Sequence, residues 1–296
     1  MVVRIISGAI VLAFLLVFGL LGGPAQAIFL GVLSCIGYLE FTKATNVRLD
    51  EQKVSGYEKV GFVTIILYYI LLILFDDVMP FHQILNEWAV KEIGMFNYFT
   101  ILILLLFIIA VVIMFGIYIF TYPKHKIQQM TPAVFGMIYV ALTLSFAYHV
   151  RELPHGIYLV WLVYISASVC DTFAYFSGCL FGKHKLTPKL SPKKTIEGAV
   201  GGCLAATIAG GLMGWIYYAF VDNRIGVIPL FALVCFIGSI VSMCGDLTAS
   251  AVKRDGGIKD YGKLIPGHGG VLDRFDSVIF TAPMVYFLVV LFLHFD

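Results

Sequence analysis

Residues Ile101 to Phe120 read ILILLLFIIAVVIMFGIYIF, twenty positions without a single charge. At a rise of about 1.5 Å per residue, a helix of that length reaches roughly 30 Å, the thickness of a bilayer's hydrocarbon core. No water is available there to bond backbone N–H and C=O groups, so each span has to satisfy them internally, as an α-helix does. Outward from this stretch, comparable apolar runs recur at 4–22, 25–42, 60–79, 97–122, 130–149, 158–182, 196–220, 227–252 and 275–295. The pattern predicts an all-α, polytopic integral membrane protein of about nine transmembrane helices. Composition agrees: 60% of the 296 residues are hydrophobic and 13% charged, where a soluble domain carries about 25% charge. A soluble enzyme is excluded.

The placement of charge says more than the net value of +2. With the N-terminus in the cytoplasm, the inside loops collect Arg4, Lys43, Arg48, Lys53, Lys59, Lys124, Lys126, the five lysines of 183–194, and Lys253, Arg254, Lys259, Lys263 and Arg274. Of twenty basic residues, only Lys91, Arg151 and Arg224 fall outside. That asymmetry fixes orientation and supports the span count, since one missed span would scramble it. The first run, ending in Pro24-Ala25-Gln26-Ala27, resembles a signal peptide; another apolar run follows at once, so it is expected to be a retained span. The six cysteines lie in apolar segments without CxxC spacing and read as small core residues. Segment 80–96 is the longest outside loop, where a short surface helix is expected. The chain divides by its runs into 1–95, 96–155 and 156–296, the last carrying the chemistry.

Ionisable groups inside spans are costly and point to function. Asp171, Glu197, Asp246 and Asp276, with Asp273 just outside, all fall in the last four spans, toward the cytoplasmic ends. Ser242, Asp246, Ser250 and Lys253 recur at helical spacing and share one face. Gly245 beside Asp246 allows close approach of a neighbouring helix or of a ligand. Asp171 leads a face continued by Tyr175, Gly178 and Gly182. In the loop 183–197, Ser191 or Thr195 is placed to cap the seventh helix. After Asp246 comes a glycine-rich basic loop, through Pro266-Gly267-His268-Gly269-Gly270, ending in Asp273 and Asp276 at a helix start. Carboxylates holding a hard cation, with lysines and arginines neutralising phosphate oxygens, are what Mg²⁺-nucleotide chemistry requires. No GxxxxGK[ST] run is present, so the site is not a P-loop. Against these stand blander readings: an intramembrane salt bridge for Asp246, a purely topogenic role for the lysine loops, a simple turn histidine for His268.

From Ser250 to Asp276 the string SAVKRDGGIKDYGKLIPGHGGVLDRFD resembles the signature of the phosphatidate cytidylyltransferases (CDP-diacylglycerol synthases), and DTFAYFSG (171–178), SPKKTIEG (191–198) and GDLTAS (245–250) are similar to that family as well. The resemblance covers roughly 155–296. It implies that phosphatidate and CTP give CDP-diacylglycerol and pyrophosphate, with Mg²⁺ and a second, monovalent cation such as K⁺. It implies Asp246 and Asp273 as metal ligands with Asp276 third, and a catalytic set of Asp246, Asp273, Lys253 and Arg274. Substrate contacts would fall to Lys193, Lys194, Thr195, Ser250, Arg254, Lys259 and His268, with Asp171 and Glu197 orienting lysines or the ribose. A homodimer, with spans four and five as candidate interface, is expected from the same resemblance, and a bacterial plasma membrane from the compact size without long soluble extensions; no nucleic-acid partner is expected. Rival readings are a cation channel or transporter, which would place its polar groups near the midplane and often repeat, and a CTP-using enzyme acting on another membrane lipid.

Overall fold

A computed structural model describes residues 2–48, 53–75 and 98–293. The helices are α1 (Val2–Leu21), α2 (Gly23–Ala44), α3 (Gly56–Leu74), α4 (Tyr98–Thr121), α5 (Ile127–Glu152), α6 (Gly156–Phe181), α7 (Ile196–Phe220), α8 (Val227–Asp255) and α9 (Leu272–Phe292). Among the described residues, eight helices are long and apolar enough to cross a membrane, and α1 contains a ninth, shorter apolar stretch, Ile6–Leu21. The expected count of about nine therefore holds, with ends shifted by a few residues. The expected 80–96 surface helix lies outside the described residues.

Local chemistry explains where the helices start. Ser55 caps α3 reciprocally with Glu58: its Oγ accepts the Glu58 N–H at 3.2 Å, and its own N–H donates to Glu58 Oε2 at 2.8 Å. Thr195, the residue the sequence offered alongside Ser191, caps α7 by accepting the Gly198 N–H at 3.1 Å. Two π-turns interrupt the longer helices, Met137–Leu142 in α5 and Ile165–Val169 in α6. The second lies just before Asp171 and resets the phase of the residues that follow it. Among the described residues, sequence reasoning also missed a short antiparallel hairpin, β1 (Lys185–Thr187) with β2 (Ser191–Thr195), pairing Lys185 with Thr195 and Thr187 with Ser191.

Contacts divide the chain into two compact units: one of Met1–Leu20 with Thr143–Asp296, the other of Leu21–Leu142. In the second unit, Tyr38, Tyr57, Tyr68 and Tyr69 are buried, and Glu58 accepts from Thr42 Oγ1 at 2.7 Å and pairs with Arg48 at 2.9 Å. Only 11% of the apolar stretch of α4 is buried within the chain, so most of its side chains are left uncovered by the other described residues. The first unit holds the chemistry-bearing residues. Its helices approach closely at glycines: a Cβ at Gly198 or Gly202 of α7 would collide with the α6 backbone at Ala174 or Cys170, and one at Gly210 with Phe231 O and the Cys235 side chain of α8. Small residues at such seams let helices pack by dispersion where no hydrophobic drive exists between them.

Candidate active site

Four stretches of the first unit converge on a cavity of about 700 Å³, within the range of small-molecule sites. The α6 end contributes Asp171, Tyr175, Gly178 and Cys179. The hairpin and the start of α7 add Lys185, Lys193, Lys194 and Thr195; α8 adds Met243, Asp246 and Lys253; the following loop and α9 supply Asp260, Asp273, Arg274 and Asp276. Five carboxylates and five cationic side chains line it. This balance suits a cavity that takes both a cation and a polyanion.

Two ion pairs organise the lining. Lys194 Nζ meets Asp246 Oδ2 at 2.5 Å, joining the hairpin to α8, with each side chain about a quarter exposed. Lys253 Nζ meets Asp273 Oδ1 at 2.8 Å, joining α8 to α9 across nearly buried side chains. Asp273 Oδ2 also accepts the Tyr261 and Gly270 N–H groups at 2.8 and 2.9 Å, so this carboxylate pins two separate points of the preceding loop. Tyr261 supports the arrangement: its ring lies 5.3 Å from Lys253 Nζ, and its hydroxyl donates to Ala249 O at 3.1 Å. Asp276 is buried and accepts the Ser277 N–H at 2.8 Å, while the Ser277 hydroxyl donates to Asp171 Oδ2 at 3.1 Å. Gly269 has φ +85°, and a Cβ there would press on Asp273 Oδ2 at 2.7 Å, so the loop closes over this carboxylate only with glycine in place.

The sequence of the whole described region carries a family relationship. A match to the cytidylyltransferase family runs over residues 2–292. The chain belongs to that family. A protein of Staphylococcus haemolyticus named phosphatidate cytidylyltransferase is 38% identical over 167 residues, covering 56% of this chain and 62% of the relative. One of the same name from Synechocystis is 43% identical over 149 residues, 49% of this chain and 47% of the relative. One from Staphylococcus aureus is 37% identical over 169 residues, 56% and 62% respectively. These matches span less than two thirds of the relatives' own length.

Within this member of the cytidylyltransferase family, Asp171, Lys193, Lys194, Thr195, Asp246, Lys253, Asp273, Arg274 and Asp276 all line the cavity. The other expected residues lie elsewhere. Ser250 donates to Asp246 Oδ1 at a long 3.5 Å. Arg254 and Lys259 are exposed and do not line the cavity. Glu197 pairs with His184 Nδ1 at 2.6 Å and accepts the Lys183 and His184 N–H groups, fastening the strand-entering chain to α7. His268 bonds Ser7 of α1 instead of facing the cavity. Sequence reasoning did not single out Lys185 or Asp260, and it read Cys179 as a core residue, whereas Cys179 is exposed and lines the cavity. Lys185 and Asp260 sat unremarked among other charges, and only the hairpin pairing and the loop's closure on Asp273 bring them in.

Among the described residues no three His, Cys, Asp or Glu side chains form a ready-made metal cage. Mg²⁺, however, is commonly held by one or two carboxylates plus substrate phosphates. Asp246 and Asp273 are hard oxygen donors lining one cavity, each already facing a cation in the form of a lysine ammonium. The donor set fits a divalent ion arriving with a nucleotide.

Proposed function

We propose that the chain is a CTP:phosphatidate cytidylyltransferase, making CDP-diacylglycerol and pyrophosphate at the cytoplasmic membrane face. The observation that carries this reading is the single cavity in which Asp246, Asp273 and Asp276 meet Lys185, Lys193, Lys194, Lys253 and Arg274. A phosphate oxygen of the lipid attacks the α-phosphorus of CTP; the bond from that phosphorus to the β-bridging oxygen breaks, and pyrophosphate leaves. Lys194 and Lys253 are fixed by their carboxylate partners to hold phosphate oxygens in line, and Arg274 adds a planar donor fork suited to phosphate. Holding both phosphates in reacting geometry and neutralising charge supply most of the rate gain. Mg²⁺, held by Asp246 and Asp273 with Asp276 beside them, would offset charge on the phosphates when bound. A neighbouring monovalent cation such as K⁺ belongs to the same reading.

The position of the cavity also suits its lipid substrate. Next to the cavity-lining residues of α6 and α7, Phe173, Phe176, Leu180, Val200 and Leu204 are exposed along the same two helices. Acyl chains therefore remain against an apolar surface while the phosphate reaches the lysines. The test is cytidylyl transfer by purified protein in detergent, with CTP, phosphatidate and Mg²⁺, and with Asp246→Asn alongside. Wild type is expected to form CDP-diacylglycerol and one pyrophosphate per turnover, abolished by chelator; Asp246→Asn should lose about 10²-fold or more. CTP consumption with a different lipid and none with phosphatidate would retain the chemistry and overturn the substrate.

A further inference from the structure

We propose that Ser7 of α1 is a positioning residue for the transfer site, anchoring the 265–270 turn and, through His268, the side chain of Arg274. The inference rests on the cytidylyl-transfer reading of the cavity for its functional half, and on the contacts of α1 for its structural half.

The turn is Ile265-Pro266-Gly267-His268, in which the Ile265 carbonyl accepts the His268 N–H at 2.9 Å with proline second and Gly267 third at φ +74°. That is a type II turn, closed by the bridge between Ile265 and Gly269. Between α8 and α9 no other paired strand is present among the described residues. Order in this loop has to come from tertiary contacts, of which Asp273 supplies one set and α1 another.

Ser7 is buried, with its Oγ 3.0 Å from Pro266 O and 2.7 Å from His268 Nδ1. A carbonyl only accepts, so the serine proton goes to Pro266. The hydroxyl oxygen is then left to accept from His268, in the tautomer that carries its proton on Nδ1. Gly8, the next residue, lies beside the imidazole, where a Cβ would be in ordinary van der Waals contact with His268 Cε1 at 3.5 Å. On the other side of the turn, the His268 carbonyl accepts from Arg274 Nε at 3.1 Å, and Arg274 lines the cavity. A continuous chain of bonds therefore runs from α1 to a cationic side chain of the site.

The far end of α1 is fastened to the same unit. Arg151 donates from Nε to Gly19 O at 3.0 Å and from Nη2 to Leu20 O at 3.1 Å, satisfying carbonyls that a helix C-terminus leaves open. Gly19 packs against Trp161, where a Cβ would approach the indole to 3.2 Å. Held at both ends, α1 presents Ser7 at a fixed height to a loop that follows it by more than 250 residues in sequence.

The test uses full-length protein carrying Ser7→Ala or Ser7→Thr, each alone and combined with Arg274→Gln. Ser7→Ala should lower kcat/KM for CTP about tenfold, the scale of one lost hydrogen bond at a reacting site, while Ser7→Thr, which keeps the hydroxyl, should stay within about twofold. In the Arg274→Gln background, Ser7→Ala should add nothing, because two residues acting through one path are not additive. Hydrogen exchange of the 265–270 amides should quicken in Ser7→Ala, with the 185–195 hairpin unchanged. Wild-type kinetics in Ser7→Ala, or an equal proportional loss in both backgrounds, would overturn the proposal. Should wild type transfer nothing to phosphatidate, the function falls, and exchange alone decides the anchor: unaltered protection at 265–270 would sink it.

Discussion

Asp246 and Asp273 bring the same carboxyl group to the cavity under different conditions. Asp246 is about a quarter exposed and meets one lysine across open cavity. Asp273 is almost wholly buried and holds a lysine and two backbone amides. An ion pair that water reaches contributes about 1 kcal/mol or less; breaking a buried one costs about 3–5 kcal/mol because the partner charge is stranded. Asp246→Asn, expected to lose about 10²-fold or more in transfer, should therefore leave the thermal unfolding midpoint nearly unchanged. Asp273→Asn should lose activity and unfold well below wild type, with Lys253 left without its counter-charge. Thermal melts in detergent beside the transfer assay check both, and equal midpoints for the two variants would contradict this division of labour. Sequence alone offered the two acids as equals. Their spacing to helices was legible, but the amides of Tyr261 and Gly270 that separate them depend on how the loop folds back.

Helices α8 and α9 are brought together by a glycine rather than by a large side chain. A Cβ at Gly245 would lie 2.7 Å from Asp276 O and 3.1 Å from Phe280 Cδ2, so alanine there has to push the two helices apart. Overpacking of this kind costs about 1–3 kcal/mol, and it would move Asp246 relative to Asp276, where a 1 Å displacement costs about 10²-fold in rate. Gly245→Ala is expected to lower both the melting midpoint and cytidylyl transfer. Gly116→Ala, on α4 where a Cβ would meet nothing, should leave activity intact. Matching behaviour of the two variants would show that the close approach carries no functional consequence. The role of Gly245 was readable from its place beside Asp246 on a helical face. The hairpin was not: Lys185–Thr187 and Ser191–Thr195 are short, charged and interrupted by Pro188 and Pro192, so no strand periodicity shows. Yet this hairpin sets Lys193 and Lys194 at the cavity.

Across the whole chain, hydropathy makes each helix legible because every span has to bury its own backbone groups from lipid. Which helices group together is not encoded that way, since lipid-facing and helix-facing positions are both apolar. The joining of Met1–Leu20 to Thr143–Asp296 follows from Ser7, Gly19, Arg151 and Trp161, none of which stands out in a hydropathy profile. Orientation, by contrast, rests on the distribution of charge, and it yields a separate test. The loop between α8 and α9 carries Lys259 and Lys263, with Lys253, Arg254 and Arg274 on the flanking helix ends, whereas 221–226, between α7 and α8, carries only Arg224. By the positive-inside rule the former is expected in the cytoplasm and the latter on the opposite face. Cysteines replacing the exposed Lys259 and Asn223, in a chain whose exposed Cys179 and Cys244 have been changed to alanine, report the two sides. In sealed right-side-out vesicles an impermeant maleimide should label Asn223→Cys and spare Lys259→Cys, and inverted vesicles should reverse the pattern. Since Asp260 of the Lys259 loop and residues of the 183–197 segment line the cavity, the same pattern bears on whether soluble CTP can reach it from the cytoplasm. Labelling of Lys259→Cys from the outside would place the site on the wrong face for that substrate and would count against cytidylyl transfer as its function.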